Sequence, residues 1–312
     1  MTGTIRGLDV VSEKVIWISG TGGEFSVTRD GGATWFHQVV PGTAKLDFRD
    51  VHGFSADVAL LMSAGPGSAS RIYRTTDGGK FWTLTYENPD TLAFFDGMDF
   101  FDDQNGLVIS DPVDPKPYLL ATYNAGISWK RMVPTSVPDL VAGEYAFAAS
   151  GTSIDALPNG ECWLATGGSV ARAFSSEDRG QSWSVAHLPV LQGDAASGAF
   201  SIARGPGRKV AVCGGHYQET TKTGSSIALS YDNGKIWILP SGSDSVPFME
   251  CIRWISQKIL ISCGPPGIWR SKDSGKNWKE ASKQGFHAMD IAPGSRTVWL
   301  AGNRGKVVTL EL

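Results

Sequence analysis

Short runs of apolar residues alternate with clusters of Gly, Asp, Asn and Ser along the whole chain. Residues 15–18, 59–62 and 210–213 are such runs, and each is only four residues long. Runs of this length between turn residues predict β-strands, whereas an amphipathic helix needs a longer stretch with a period of about 3.6 residues. The pattern therefore predicts an all-β protein built from many short strands.

One motif, Ser/Thr-x-Asp-x-Gly-x-x-Trp, recurs six times between pairs of these strands. In the third copy Asn124 replaces the Asp and keeps an oxygen that can accept hydrogen bonds. A side-chain acceptor followed by a Gly that readily adopts positive φ is typical of a tight turn, and the Trp adds apolar surface to the next strand. Each copy, hereafter a box, is predicted to close a β-hairpin. The six boxes are residues 28–35, 75–82, 122–129, 176–183, 230–237 and 271–278.

Two further strands precede each hairpin, and a seventh set of strands follows the last box. The tryptophans of the boxes lie 41 to 54 residues apart, an interval typical of radial β-repeats. The seventh unit ends before a box, so we expect residues 1–4 to supply its outer strand and close the ring. The chain is predicted to be an all-β, seven-bladed β-propeller of four-stranded units, with one domain over residues 1–312. The first strands are expected to begin near Arg6, Arg49, Asp96, Ala148, Ala199, Glu250 and His287.

Charge and hydropathy exclude several classes of function. The net charge is −3 and the isoelectric point is near 6.0, which argues against binding to nucleic acid. No apolar run is long enough to span a membrane. The first residues lack the charged and apolar regions of a signal peptide, so the sequence as it stands predicts a soluble, cytoplasmic monomer. Export stays open if the chain is a trimmed mature form.

The four cysteines do not have the spacing of a metal site. Cys251 and Cys263 flank a predicted turn and could lie opposite each other on adjacent strands. A disulfide and two packed thiols are both open there. Packed thiols are favoured, because directly opposed strand cysteines often fail to meet disulfide geometry.

The boxes resemble the Asp-box repeats of the sialidase-like superfamily. The Asp-Gly-Gly-x-x-Trp forms at Asp30 and Asp77, the seven units and the chain length are most similar to the photosystem II stability/assembly-factor family. This resemblance spans the whole chain and implies a seven-bladed propeller that acts as an assembly scaffold. The same box occurs in sialidases, xyloglucan hydrolases and sorting receptors, so the resemblance implies the fold more strongly than a photosynthetic role.

The box carboxylates are interpreted as turn-forming groups. Six separate turns on one rim do not converge on one substrate, and an isolated Asp is a poor ligand for a hard cation that takes about 6–8 oxygens. Function is expected on the opposite rim, where the longer connections meet. These connections are residues 63–70, 86–94, 110–117, 133–144, 186–198, 214–225 and 241–247.

Charged residues recur where the predicted inner strands begin, at a point that should surround the mouth of the central channel. Mixed charge in a concavity is typical of a site for a polar ligand or a partner, and a solvated entrance with internal ion pairs is the alternative. The candidate binding residues are Arg6, Arg49, Arg71, Asp96, Asp111, Glu144, Arg172, His216, Tyr217, Glu250, His287 and Arg304. A separate column, Asp9, Asp99 and Asp290, is predicted to form hydrogen bonds between blades.

The leading hypothesis is a non-enzymatic binding or assembly scaffold for a protein partner or a polar ligand. Arg49, Arg71 and Arg172 are its expected anchors, since arginine is enriched at interface hot spots. No catalytic residue, metal ligand or cofactor is assigned.

A sialidase-like glycoside hydrolase or a carbohydrate-binding propeller is the alternative. Such an enzyme would combine the three arginines with Tyr217, Glu144 and Asp96. The Phe-Arg-Ile-Pro sequence of sialidases is absent, and Phe48-Arg-Asp-Val is its nearest counterpart. A redox or cofactor-dependent enzyme is a third hypothesis, for which five scattered histidines and the turn glycines offer no motif.

Overall fold

The computed structural model describes residues 1–312, and the chain forms seven antiparallel β-sheets in sequence order. The first three sheets are blades 1 to 3, each with four strands in chain order. Their strands are β1 (Ile5–Val10), β2 (Ile16–Gly20), β3 (Glu24–Thr28), β4 (Phe36–Val39), β5 (Asp47–Gly53), β6 (Ala59–Ala64), β7 (Arg71–Thr75), β8 (Thr83–Glu87), β9 (Phe95–Phe100), β10 (Gly106–Ser110), β11 (Tyr118–Thr122) and β12 (Lys130–Met132).

Blades 4 and 5 are less regular. Their strands are β13 (Glu144–Tyr145), β14 (Ile154–Ala156), β15 (Cys162–Ala165), β16 (Gly167–Gly168), β17 (Arg172–Ser176), β18 (Ser184–His187), β19 (Ser197–Arg204), β20 (Val210–His216) and β21 (Ile227–Ser230). Blade 4 consists of β14, β15, β17 and β18, and blade 5 of β19 to β21. The two short strands β13 and β16 extend the inner edge of blade 5.

Blades 6 and 7 complete the chain. Their strands are β22 (Cys251–Trp254), β23 (Leu260–Gly264), β24 (Gly267–Ser271), β25 (Lys279–Ser282), β26 (Ala288–Ile291), β27 (Thr297–Ala301) and β28 (Val307–Glu311). Two short 3₁₀ turns, Gly67–Ala69 and Asn303–Gly305, are the only helical elements.

The first strand of each blade packs against the first strand of the next blade, and β26 of blade 7 packs against β1 of blade 1. An apolar cluster crosses this last junction and joins Ile5 and Ile16 to Ala288 and Trp299. The sheets therefore form a closed ring around a central channel. The predicted all-β, seven-bladed propeller is confirmed.

All six boxes form the predicted turn after the third strand of their blade. In the first box the Thr28 hydroxyl donates to Asp30 Oδ1 at 2.8 Å, and the Gly32 amide donates to Thr28 Oγ1 at 2.9 Å. Asp30 also accepts from the Thr34 amide at 2.8 Å. The Asn124 box keeps the same bonds through its amide oxygen. The carboxylates are therefore consumed by their own turns, as the turn chemistry indicates.

Each box glycine packs against a large apolar side chain of the preceding blade. All six have positive φ, between 73° and 88°, and a Cβ at any of them would press on its neighbour. The pairs run round the ring in order: Gly32 with Trp299, Gly79 with Phe25, Gly126 with Leu60, Gly180 with Leu107, Gly234 with Trp163 and Gly275 with Leu229. The box is thus both a turn and a contact between blades.

A second set of contacts between blades comes from aspartates on the inner strands. Asp9 Oδ2 accepts a hydrogen bond from the Gly53 amide at 2.5 Å, and Asp290 Oδ2 accepts from the Val10 amide at 2.8 Å. Asp99 Oδ2 accepts from a blade 4 amide in the same way, at 2.7 Å. The predicted structural role of this column is confirmed.

The expected fourth strand of blade 7 is absent. Residues 1–4 form no strand, and the sheet of blade 7 ends at β28. Instead the Gly305 amide donates to the Gly3 carbonyl at 2.8 Å, and the Ile5 amide donates to the Gly302 carbonyl at 3.0 Å. The N-terminal segment therefore packs against the turn before β28 and supplies no outer strand. The ring closes through β1 and β26.

Two further expectations about strands are wrong. The first strand of blade 4 begins at Ile154, not near Ala148, because residues 144–150 leave the repeat. The fourth strand of blade 5 is reduced to a bridge between Leu229 and Ile238. The four-stranded unit is therefore complete in five of the seven blades.

The four cysteines are buried and free. Cys251 lies directly opposite Cys263 in the β22–β23 register, as expected from the turn between them, and no disulfide joins them. Of the two possibilities left open by the sequence, the structure has packed thiols.

The Gly32→Ala substitution will show how strongly the box glycine holds the ring together at the junction of blades 1 and 7. The added Cβ would lie 2.7 Å from Trp299 Cη2 at a φ of 88°. We expect a loss of about 2–5 kcal/mol in the free energy of unfolding, since left-handed backbone costs about 1–2 kcal/mol and overpacking about 1–3 kcal/mol. The measurement is equilibrium denaturation in urea.

Gly42→Ala is the matched control. Gly42 also has positive φ, 80°, but nothing lies within 4 Å of its added Cβ. This variant should lose only the backbone contribution, about 1–2 kcal/mol. Equal losses in the two variants would contradict a role for the Gly32–Trp299 contact.

Candidate functional site

Residues 144–150, hereafter the crossing segment, lie inside one end of the channel. The carbonyl of Ala149 accepts a hydrogen bond from Arg6 Nη1 at 3.3 Å, and the carbonyl of Ala148 accepts from Arg49 Nη1 at 2.6 Å. These arginines stand at the start of the inner strands of blades 1 and 2. The crossing segment, which precedes blade 4 in the chain, is thus held by blades 1 and 2 on the other side of the ring.

The same segment is fixed to blades 5 and 6. The Ser150 hydroxyl donates to the Glu250 carbonyl at 2.9 Å. The ring of Phe147 stacks on Phe200, with centroids 3.8 Å apart and planes 10° apart. Contacts with four blades place the crossing segment across the channel, where it forms the base of a cavity on the loop-rich face.

This cavity, hereafter the mouth cavity, has a volume of about 490 Å³. Its size falls within the usual range of about 300–1,000 Å³ for ligand pockets. Nine of its fourteen lining residues are hydrophobic. The lining residues are Arg6, Arg49, Phe94, Asp96, Asp111, Tyr145, Ala146, Phe147, Ala148, Ala149, Ala195, Phe200, Tyr217 and Glu250.

Both arginines of the mouth cavity are already paired. Arg6 Nη1 lies 3.3 Å from Glu250 Oε1, and Glu250 Oε2 lies 2.5 Å from His287 Nδ1. Arg49 Nε lies 2.5 Å from Asp47 Oδ2. The positive charges of the rim therefore have carboxylate partners within the protein.

Two carboxyl groups of the mouth cavity have no such partner. Asp96 is 1% exposed, and neither it nor Asp111 forms an ion pair. Asp96 Oδ2 and Asp111 Oδ1 are buried and accept no hydrogen bond. Burial, and after it the neighbouring Asp111, raises the pKa of Asp96 well above its usual range, and burial raises the pKa of Asp111 to about 7. The pair is therefore an acidic site that holds a proton near neutral pH.

Aromatic rings cover one wall of the mouth cavity. Phe200 packs edge-on against Tyr217, with centroids 6.3 Å apart, and Tyr145 packs edge-on against Phe147 at 5.4 Å. Tyr217 is 45% exposed and stands at the open side. The wall thus combines apolar faces with hydroxyl groups, as in sites that bind amphipathic groups.

The structure brings together half of the predicted site residues. Those that line the mouth cavity are Arg6, Arg49, Asp96, Asp111, Tyr217 and Glu250. His287 lies behind them and bonds to Glu250 and to Asn303 Oδ1, the latter at 2.9 Å. The positions at which the first strands begin therefore identified residues at the channel mouth.

The other predicted residues lie outside the mouth cavity. Arg172 and Glu144 form a buried ion pair with each other, with Nη2 to Oε2 at 2.5 Å. Arg71 pairs with Glu87 at 3.1 Å. These residues do not converge with the cavity residues, because the third strands lie outward from the channel.

His216 and Arg304 also stand apart. His216 Nε2 lies 3.5 Å from Asp194 Oδ1, beyond the lining residues. Arg304 is exposed in the turn that contacts the N-terminal segment, with φ of 57°. Of the three arginines of the sialidase-like hypothesis, Arg49 alone lines the mouth cavity, and Glu144 is committed to Arg172.

The sequence did not reveal the crossing segment or the aromatic wall. Phe147 and Phe200 look like core residues of ordinary strands in the repeat pattern. The one local signal is the small-residue run of residues 146–149, Ala-Phe-Ala-Ala, which lets the backbone approach the arginines closely. Its place in the channel depends on contacts with distant blades.

A second cavity, of about 520 Å³, occupies the box end of the channel. Five aspartates line it together with Arg204 and Arg253, and Arg253 Nε lies 3.7 Å from Asp290 Oδ1. The five are Asp9, Asp50, Asp99, Asp155 and Asp290. Sequence analysis found three of them and missed Asp50 and Asp155, which also accept amide hydrogen bonds from the next blade.

Burial dominates the titration of this second cavity. It raises the pKa of Asp50 to about 8 and that of Asp99 to about 7, although each carboxylate accepts backbone hydrogen bonds. No three His, Cys, Asp or Glu side chains are placed to hold a metal ion together. We assign these aspartates to the joining of blades.

Comparison with known proteins gives matches in structure only. No family model matches the chain, and no curated protein matches it. A structure described as YCF48 bound to D1 peptide superposes with a TM-score of 0.71 and 16% identity, over 100% of this chain and 94% of that one. This chain has the fold of YCF48.

Two other structures agree with this assignment of fold. YCF48 from Cyanidioschyzon merolae gives a TM-score of 0.65 at 16% identity, over 99% of this chain and 96% of that one. A structure of U3-55K gives 0.69 at 10% identity, over 100% and 96%. The predicted resemblance to photosystem II assembly-factor propellers, of which YCF48 is one, is confirmed at the level of fold. In this chain no helix has the length and apolar character needed to cross a membrane.

The buried aspartates predict that stability falls as pH rises. Asp50 has a pKa of about 8 in the folded state, and an unfolded Asp has a pKa of about 4. Between pH 4 and pH 8 the carboxyl therefore holds its proton only in the folded state. Each pH unit in that window therefore costs the folded state up to about 1.4 kcal/mol per such group. We expect the free energy of unfolding to be higher at pH 6.5 than at pH 8.5, as measured by denaturant titration.

The Asp50→Asn variant isolates the contribution of one group. Between pH 6.5 and pH 8.5 the free energy of unfolding should fall by about 1–2 kcal/mol less in this variant than in the wild type, because Asn does not titrate. This holds whatever the absolute stability of the variant. His52, whose pKa burial lowers to about 4, adds nothing above pH 6.5. A variant with the same decline as the wild type would contradict the assignment of the titration to Asp50.

Breaking the buried Arg172–Glu144 ion pair is predicted to destabilise the fold strongly. Glu144→Gln leaves a guanidinium that is 8% exposed without its counter-charge. We expect a loss of about 3–5 kcal/mol in the free energy of unfolding, as for other buried pairs cut on one side. Asp57→Asn, which breaks the exposed Arg29–Asp57 pair, should cost less than about 1 kcal/mol. Similar losses in the two variants would show that the buried pair is not structural.

Proposed function

We propose that this protein is a non-enzymatic binding scaffold that takes up a segment of a partner protein in the mouth cavity. The observation that carries the proposal is the cavity itself. It is concave, aromatic-walled and closed at its base by the crossing segment, on the face where the long loops meet. Sites of this form bind ligands through apolar contact and a few placed polar groups.

The size of the mouth cavity limits what enters it. About 490 Å³ accommodates one or two side chains of an extended peptide and not a folded domain. The surrounding loops would then contact the rest of the partner. The similar fold of YCF48 in its structure with D1 peptide supports this mode of binding for the present chain.

The ring provides the rigidity that a scaffold needs. The crossing segment is held by hydrogen bonds from three blades and by ring stacking on a fourth. A preformed site loses little conformational entropy on binding. The partner therefore meets a cavity that exists before it arrives.

Ala195→Trp tests the proposal by filling the cavity mouth. Ala195 is exposed and lines the mouth cavity, so a large side chain there occupies space without disturbing the core. Peptides selected against the wild-type protein from a random display library should bind the variant at least tenfold more weakly. Affinities are measured by isothermal titration calorimetry.

Ala33→Trp is the matched control on the box face. It makes the same change at an exposed turn position where the third box already carries Ile127. Peptide affinity should be unchanged in this variant. Selected peptides that bind Ala195→Trp as well as they bind the wild type would overturn the proposal, as would a library that yields no binder.

A further inference from the structure

The mouth cavity contains two carboxyl groups that form no ion pair with any side chain of the protein. Arg6 and Arg49 are balanced by Glu250 and Asp47. Asp96 and Asp111 remain, with one buried, unpartnered oxygen each. An unsatisfied buried carboxyl is costly, and the cost is relieved when a ligand supplies the missing donor or charge.

The two carboxyls lie together on one side of the cavity. Asp111 follows β10, and its amide donates to the Phe94 carbonyl at 2.9 Å, just before β9 and Asp96. Asp96 is 1% exposed and still lines the cavity, so its carboxyl forms part of the inner surface. This places the two carboxyls beside each other on the inner surface of the site.

The aromatic wall suits the same kind of ligand. Tyr145, Phe147, Phe200 and Tyr217 present rings to the cavity, and their π faces attract a cation. An alkyl chain that leads to a cationic end would pack on these rings while the end group reaches the carboxyls. Lysine and arginine side chains have this form.

An anionic ligand fits the site less well. It would have to displace carboxylates from Arg6 and Arg49 and would lie beside Asp96 and Asp111. Other charged groups near the cavity do not reverse this balance, since His216 pairs with Asp194 at the rim. The groups left without an ion pair are therefore the two carboxyls, of which Asp96 also feels the positive charge of Arg49.

We propose that the mouth cavity binds the cationic end of a Lys or Arg side chain of the partner, with Asp96 and Asp111 as its acceptors and the aromatic wall around its alkyl chain. This inference rests on the proposed function and names the chemistry of the bound segment. The acceptors are the free oxygens Asp96 Oδ2 and Asp111 Oδ1.

Small probes test the chemistry without any partner. n-Butylguanidinium and n-butylammonium are titrated into the full chain at pH 7.5 and followed by NMR or calorimetry, beside pentanoate and 1-pentanol of similar size. The two cations should bind at least tenfold more tightly than the neutral and anionic probes. Equal binding of 1-pentanol, or tighter binding of pentanoate, would overturn the proposal.

Asp96→Asn removes the ionisable carboxyl and keeps the shape of the side chain. Because Asp96 has no ion pair to lose, the variant should fold with undiminished thermal stability and bind both cations at least tenfold more weakly. Asp111→Asn should weaken them in the same direction. Glu219→Gln, an exposed carboxylate of the same face that pairs with Lys222, is the control and should bind them as the wild type does.

The outcomes separate this inference from the proposed function. Peptides that depend on an open cavity but lack a basic residue, together with no binding of the cations, would overturn the cation site and leave the scaffold in place. Peptides that bind the Ala195→Trp variant as tightly as the wild type would overturn the proposed scaffold function. Cation binding unchanged in both Asp96→Asn and Asp111→Asn would place the probes elsewhere and overturn the assignment.

Discussion

The packing of each box glycine against the blade before it is the contact on which the ring depends. The turn requires positive φ, and the neighbouring apolar side chain requires the absence of a Cβ. Only glycine meets both demands. The same contact joins Gly32 to Trp299 at the junction of blades 1 and 7, as at every junction except that of blades 6 and 7, because blade 7 has no box. The box is therefore a joint as well as a turn.

The inner aspartates join the blades closer to the axis. Their carboxylates accept amide hydrogen bonds from the next blade; for example, the Met98 amide donates to Asp50 and the Ala156 amide donates to Asp99. Burial makes these groups hard to ionise, so the contact that fixes the inner strands is sensitive to pH. The aspartates at the box end of the channel thus join the blades, and the proposed binding site lies at the opposite end.

The crossing segment gives the loop face its particular shape. Without it the channel would be an open passage with charged residues at its entrance. With it, the arginines of blades 1 and 2 are turned to backbone carbonyls and to internal carboxylates. The pair Asp96 and Asp111 and the aromatic wall are left without such partners, and the proposed cation site rests on them.

The sequence by itself determined most of the strands, the box turns and the number of blades. These follow from local chemistry, namely the acceptor and glycine of each box and the alternation of short apolar runs, and such patterns are legible without knowing neighbours in space. It also placed Arg6, Arg49, Asp96 and Glu250 at the channel mouth, because equivalent positions of a repeat occupy equivalent places in the ring.

Only the tertiary structure decided which charges are free. Arg172 and Glu144 are 28 residues apart and neutralise each other, while Arg6 meets Glu250 across the ring closure. It also decided that residues 144–150 leave the repeat and that residues 1–4 do not complete blade 7. Pairing and burial depend on contacts between residues distant along the chain, and the composition of a segment does not specify its distant partners.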